Sequence, residues 1–339
     1  MNLLVTGATS FLGSAVCREL LSRGHRVFAP VRKTSANLGA LPDSPELRRI
    51  FVPMEEIGRL LQERIPAPDA CIHFAWSGVG VRGRMDPEIQ EQNLSRTMEL
   101  IRTAAAMGCR RFLFAGSQAE YGVTLERVRE GSMPGGPVPE TAECRPISLY
   151  GQYKLRVLRE GGALAASLGM EYCHMRIFSV YGPGDHGTSL VSSCVRAAAA
   201  GETAELGPCA QQWNFLHVRD CAAVIAALSE KRAEEKQAED ARQDVSPEKA
   251  EDNACSFAPE VYNIGSRDTR QLRDFAEEIF EIAGTGSVRF TERAAGPEGT
   301  PWLFPDISRV AAVTGTEPAV SFREGIREML PQRQAASGI

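Results

Sequence analysis

Short apolar runs alternate with helical spacing from the first residues onward. Asn2-Leu3-Leu4-Val5-Thr6 predicts a strand rather than a leader peptide, and it runs straight into Gly7-Ala8-Thr9-Ser10-Phe11-Leu12-Gly13. Val16, Leu20 and Leu21 then recur at helical spacing up to Gly24, and residues 25–31 predict a second strand. Further apolar runs predict strands over 50–52, 70–76, 111–117, 170–178 and 261–265. Helical spacing predicts helices over 57–61, 89–107, 148–167, 190–200, 271–283 and 322–330. The Gly/Pro/Glu-rich stretch 122–146 predicts a long loop shaping a substrate mouth, and Tyr181 to Asp185 a turn. Strands that alternate with helices predict an α/β fold built on a doubly wound parallel sheet. No internal repeat is present.

Composition narrows the classes. Hydrophobic residues at 43% and charged residues at 24% fit an ordinary globular chain of 339 residues, enough for a large core. A net charge of -5 excludes a basic nucleic-acid surface, and no apolar run approaches the length of a membrane span. Nine cysteines, without a C-x-x-C, sit mostly in apolar segments such as Asp69-Ala70-Cys71-Ile72. That usage predicts reduced, buried thiols in a cytoplasmic protein rather than disulfides or a metal site. Residues 231–256 are charged and aromatic-free, and read as a helix end followed by a charged, mobile insertion.

Chemistry is concentrated at three places. Strand, glycine turn, helix and strand within about 30 residues form a dinucleotide-binding βαβ unit. Gly7 permits the tight turn, Gly13 lets helix pack on strand, and the helix N-terminus can receive a pyrophosphate, with Ser10 where a third glycine is usual. The second strand ends in Val31-Arg32-Lys33 with no carboxylate, so Arg32 predicts NADP(H) ahead of NAD(H). Finally, Tyr150 and Lys154 lie four apart on one helix face, where an ammonium can hold charge on a phenolate and make the phenol an acid/base. Ser117, at the C-terminal end of its strand, can orient the oxygen that Tyr150 serves. His73 reads as a satisfied core histidine.

Eight motifs in order resemble the extended short-chain dehydrogenase/reductases, the NAD(P)-dependent epimerase/dehydratase group that acts mainly on nucleotide sugars. They run from Thr6-Gly7-Ala8-Thr9-Ser10-Phe11-Leu12-Gly13 through His73-Phe74-Ala75, Ser117-x-x-x-Tyr121-Gly122 and Tyr150-x-x-x-Lys154. Arg176-x-x-x-x-Tyr181-Gly182-Pro183, Phe215 to Asp220 and Tyr262-Asn263-Ile264-Gly265 follow, with Pro305-Asp306-Ile307-Ser308 near the end. The resemblance implies a Rossmann domain (1–178, 212–230 and 261–266) and a smaller substrate lobe (179–211 and 267–339).

It also implies Tyr150 as acid/base, Lys154 as its electrostatic partner and ribose ligand, and Ser117 as the orienting hydroxyl. Phe11, Leu12, Ala75, Trp76, Asn93 and Phe178 fall where the family contacts its dinucleotide. A homodimer through the helices bearing Asn93 and Tyr150 is implied as well. Gln118 and Ala119 replace the Asp-Glu pair of the dehydratases, which leaves epimerisation or carbonyl reduction. Ser179, Trp213, and Leu303-Phe304 replace polar residues that help hold a nucleotide diphosphate, and Pro53-Met54 stands near the usual adenine-contacting acid. Arg219, Arg289 and Arg293 are candidate substitutes. Reduction of a non-sugar ketone, or a non-catalytic NADP-binding sensor, are the alternatives these departures leave.

Overall fold

The computed structural model describes residues 1–240, 258–292 and 298–331, the side chains of 232–240 excepted. The chain opens with β1 (Asn2–Thr6), α1 (Phe11–Ser22), β2 (Arg26–Pro30), β3 (Leu47–Ile50) and β4 (Ala70–His73). It continues with α2 (Pro87–Ala106), β5 (Arg111–Ser117), α3 (Leu125–Arg129), α4 (Leu149–Arg156), α5 (Gly162–Ser167) and β6 (Glu171–Ile177). Next come β7 (Ser179–Tyr181), α6 (Leu190–Ala200), β8 (Thr203–Leu206), β9 (Gln212–His217), α7 (Val218–Asp240) and β10 (Glu260–Ile264). The last elements are β11 (Thr269–Gln271), α8 (Leu272–Ala283), β12 (Ser287–Phe290), α9 (Ser308–Thr314) and α10 (Phe322–Met329).

β1 to β6 and β10 form one parallel sheet in the order β10-β6-β5-β4-β1-β2-β3. The chain winds outward from β1 through β2 to β3, then returns to β4 and winds the other way. That reversal, between β1 and β4, is where an open sheet of this kind leaves a crevice beyond its strand ends. Side chains alternate across the sheet: Leu3 and Val5 of β1 join α1, α7 and α9 in one core, while Leu4 joins α2, α4 and α5 in the other. A third core holds Phe215, Phe275, Phe280 and Phe322 of the C-terminal part, under the small sheet β11-β9-β7.

Three boundaries differ from the sequence reading. The third strand is Leu47–Ile50 rather than 50–52: this edge strand sets two adjacent exposed arginines between a half-buried Leu47 and a buried Ile50, and Phe51 turns out to solvent at 48% exposure. The stretch 122–146 contains helix α3, capped by Thr124. The helix expected over 148–167 is interrupted by a π turn at Val157–Gly161, whose Val157 carbonyl accepts from the buried Tyr172 hydroxyl at 3.3 Å. Gly161 and Gly162 let the helix pack close at its end: a Cβ would lie 3.1 Å from Ile101 of α2 on the first and 2.7 Å from Pro259 on the second. α7 carries on to Asp240, and the rest of the expected mobile insertion lies outside the described residues.

Eight described cysteines are free, seven of them buried and Cys144 half-buried. Among the described residues no helix is long and apolar enough to cross a membrane, and no cluster could hold a metal. Phe112 is fully buried, stacked on Tyr172 at 6.0 Å and tilted against His73. Phe112→Ala is expected to lower unfolding free energy by about 3–5 kcal/mol, read from urea midpoints at constant slope.

Candidate active site

The crevice at the strand reversal is lined by backbone that tolerates no side chain. Gly7 leaves β1 with φ +69°, and a Cβ on it would lie 2.6 Å from the Ala75 nitrogen. A Cβ on Gly13 would lie 2.2 Å from the Gly7 carbonyl, so turn and helix meet as bare main chain. Ser10, where a third glycine was missed, caps α1 instead, its Oγ accepting from the Gly13 N–H at 3.1 Å. The result is a cleft of about 430 Å³ at the positive end of α1. It is lined by Gly7, Ser10 and Phe11 of the turn, Arg32 after β2, Ala75 and Trp76 after β4, and Asn93 of α2. These donors, bare backbone and arginine fit a dinucleotide. Leu12 instead packs into the core behind the turn, Gly13 makes the helix contact, and Phe178 lies in a separate apolar cluster with Tyr121, Val138 and Leu303.

α2 holds the far wall. Asn93 clamps the Ser77 main chain, Oδ1 accepting from its N–H at 3.0 Å and Nδ2 donating to its carbonyl at 2.9 Å. Gln90 accepts from the Trp76 indole N–H at 3.0 Å. His73 is buried and bonded on both ring nitrogens, to Thr6 and Thr97, and burial pushes its pKa down to about 3. It is a neutral structural post.

Ser117, Tyr150 and Lys154 come together at the C-terminal edge, beside Trp76. The strand β5 ends at Ser117, and α4, capped by Ser148, presents Tyr150 and Lys154 on one face. The Ser117 hydroxyl lies near enough to the Tyr150 phenol to help hold its pKa down. Lys154 is 3% exposed; its Nζ donates to the Ala115 carbonyl at 2.6 Å and sits 4.0 Å over Trp76, 4.5 Å over Phe114 and 5.5 Å from the Tyr150 ring centroid. Burial brings its ammonium down to about 7, against the field of Glu120, which holds it up. Tyr150 itself is raised by burial, while Ser117 and the nearby Arg84 pull it down.

Four charged residues at this site escaped the sequence reading. Glu120 is fully buried behind Ser117, accepting from the Ser117 N–H at 2.8 Å, from His174 at 2.9 Å and from Arg176 at 3.0 Å. That bonding faces it into the sheet, so it does not replace the acid pair absent at Gln118 and Ala119. Arg84 lies over the Tyr150 ring and is bound by Glu298. In the cleft, Glu55 stands one residue beyond Pro53-Met54, paired with Arg96 at 3.0 Å. Only Glu55 had a local signal, its place just after the third strand. The expected diphosphate substitutes are engaged elsewhere: Arg219 pairs with Glu328 and Arg289 with Glu205, and Arg293 lies outside the described residues.

Residues 3–265 match the model of the NAD dependent epimerase/dehydratase family. An uncharacterized UDP-glucose epimerase of Bacillus subtilis, YtcB, is 24% identical over 340 residues, which cover 96% of each chain. A UDP-N-acetyl-alpha-D-glucosaminuronate decarboxylase of Bacillus cytotoxicus is 24% identical over 350 residues, again 96% of each. The UDP-glucuronic acid 4-epimerase of Bacillus cereus, solved in complex with UDP-glucuronic acid and NAD, shares the fold with a TM-score of 0.74 at 21% identity, over 97% of this chain and 98% of that one.

The buried ammonium carries a pH signature. Between about 7 and the ordinary lysine value of 10.5, the unfolded chain holds a proton on Lys154 that the folded chain has lost. The contribution of this site to stability therefore rises with pH across that window. Thermal melts of wild type and Lys154→Met are expected to show the wild type gaining on the variant from pH 7 towards 10.5. A constant gap would show that Lys154 keeps its ordinary acidity in the fold.

Proposed function

Because the chain belongs to the NAD-dependent epimerase/dehydratase family, we propose that it is an NAD(P)-dependent epimerase or keto-reductase acting on a nucleotide-activated sugar. The observation that carries the reading is the convergence of Ser117, Tyr150 and Lys154 at the sheet edge next to Trp76, which also lines the glycine-turn cleft. Tyr150 takes the proton of a substrate hydroxyl in the oxidative direction and returns one to the keto oxygen in the reductive direction. Ser117 orients that oxygen, and Lys154 balances the negative charge that develops on the phenol. The nicotinamide, when bound, supplies the hydride exchange. An epimerase uses both directions in turn on the two faces of one keto carbon; a reductase uses one.

Gly7, Ser10, Phe11, Ala75, Trp76 and Asn93 would hold the dinucleotide, with Leu12, Gly13 and Phe178 in the supporting positions described above. Arg32, exposed at the cleft and with no carboxylate beside it in the sequence at the end of β2, favours NADP(H). A second reading, reduction of a ketone without a nucleotide, is favoured by Trp213, Trp302 and Leu303. These join Tyr121 and Phe178 in an apolar cluster where a diphosphate would need cations. The same family reading carries a homodimer through α2 and α4, to be checked by light scattering in solution.

Tyr150→Phe is expected to reduce hydride transfer to a panel of UDP-sugars and their keto forms by about 10²–10⁴ with the circular dichroism spectrum unchanged. Full activity in that variant would end the acid/base role. Tightly retained cofactor after purification identifies the epimerase; exchange with free NADPH identifies the reductase. Fluorescence titration is expected to show NADPH bound more tightly than NADH, with Arg32→Ala losing about tenfold for NADPH alone. Equal or tighter NADH binding in the wild type removes the NADP(H) preference.

A further inference from the structure

The loop after β4 is built to present one side chain. Gly78, with φ +71°, and Gly83 touch where the loop doubles back, and a Cβ on Gly83 would lie 2.4 Å from the Gly78 Cα. Gln90, fully buried on α2, holds both sides: its Nε2 donates to the Gly83 carbonyl at 2.8 Å and the Gly78 carbonyl at 3.4 Å. The Arg84 N–H closes the loop on the Gly80 carbonyl at 3.0 Å. So fixed, Arg84 reaches across the tyrosine, its guanidinium carbon 4.3 Å from the Tyr150 ring centroid. Glu298 binds the other side of the guanidinium in two parallel bonds of 2.6 and 2.7 Å. Ser148, the cap of the helix that carries Tyr150, lies near enough to Glu298 to help hold its carboxylate below the usual range. Loop, helix and C-terminal segment are therefore joined through one guanidinium.

Two cations and two carboxylates face the phenol. Lys154 comes from its own helix, Arg84 from the loop, Glu298 from the C-terminal segment and Glu120 from behind Ser117; Trp76 adds an uncharged edge at 6.4 Å. The two cations are not equivalent. Lys154 is walled in by aromatic rings, and its burial makes the charged form easy to lose. A guanidinium does not lose its proton in this pH range, and Arg84 keeps a fifth of its side chain in solvent.

We infer that Arg84 is a positioning residue for Tyr150: a permanent cation, held in place by Glu298 and the glycine-hinged loop, that stabilises negative charge on the phenol independently of Lys154. This rests on the reading of Tyr150 as acid/base. It assigns the loop a task that a dinucleotide contact alone does not require.

The phenol itself is the readout. Protein carrying tyrosine labelled at Cζ is titrated by NMR, with Tyr150 assigned through Tyr150→Phe. Arg84→Met, which keeps an unbranched stem without the charge, is expected to raise the Tyr150 midpoint by about one pH unit or more. That is about tenfold in the phenolate fraction at neutral pH. Arg84→Lys is expected to stay near wild type, and Glu298→Gln, which removes a facing negative charge while keeping the side-chain length and one acceptor oxygen for the guanidinium, to lower the midpoint. An unmoved midpoint in Arg84→Met overturns the inference, as does an equal rise in Arg84→Lys or any rise in Glu298→Gln. If Arg84→Met does not fold, the other two variants decide, the lysine by an unmoved midpoint and the glutamine by a lowered one. An unmoved midpoint beside an inactive Tyr150→Phe removes only the role of Arg84; a fully active Tyr150→Phe removes both.

Discussion

A protonated amine taken out of water is the constraint that the rest of the structure answers to. Lys154 makes its one strong bond to the Ala115 carbonyl, which requires β5 to pass directly beneath α4. Its remaining surroundings are the faces of Trp76 and Phe114, which favour a cation but cannot solvate it as water does. Trp76 is in turn fixed by Gln90, and Phe114 by its place in the sheet beside His73 and His174. An apolar residue at 154 would fold more easily. The strain of keeping the amine there is tolerable only because every neighbouring element is anchored from behind.

The anchoring charges are themselves buried. Glu120 has no access to solvent, yet its carboxylate is held below the usual range because His174, Arg176 and the Ser117 N–H all converge on it. Arg176 goes on to the Glu140 carbonyl and lies over Tyr121, whose hydroxyl donates to Asn263. Asn263 ties down the Val138 and Asp306 carbonyls. This run of satisfied groups joins the end of β5 to β6, to β10 and to the approach of the C-terminal segment. Removing one member leaves a buried charge or polar group without its partner in low dielectric, so the network favours one arrangement strongly over its neighbours.

What could be read from the chain alone was whatever has a local period. The βαβ opening was legible because Gly7, Gly13 and the alternating apolar residues lie within one unit, and Tyr150 with Lys154 because four residues make one helical turn. The capping role of Ser10 was not, since a serine before a helix and a glycine replaced by serine look alike. Arg84 and Glu298 lie 214 residues apart, and nothing in either neighbourhood announces the other. Glu120 and His174 are separated by 54 residues and meet only because β5 and β6 pair in register. The small strands β7, β9 and β11 also had little signal. β7 and β11 are three residues each, and the six of β9 pair with both of them, so the pairing follows from the fold around them rather than from alternation.

The π turn at Val157–Gly161 sets the angle between two working surfaces of one helix. Each residue advances an α-helix by about 100°, so the extra residue turns the Gly161–Gly162 side away from the direction it would otherwise take. The first half can then aim a phenol and an amine at the sheet edge while the second half lies flush against α2 and Pro259. Deleting one residue from this turn would straighten the helix and satisfy its backbone, yet swing one of the two surfaces off its partner. Length is thus constrained here alongside the two glycines that seat the second half on its neighbours.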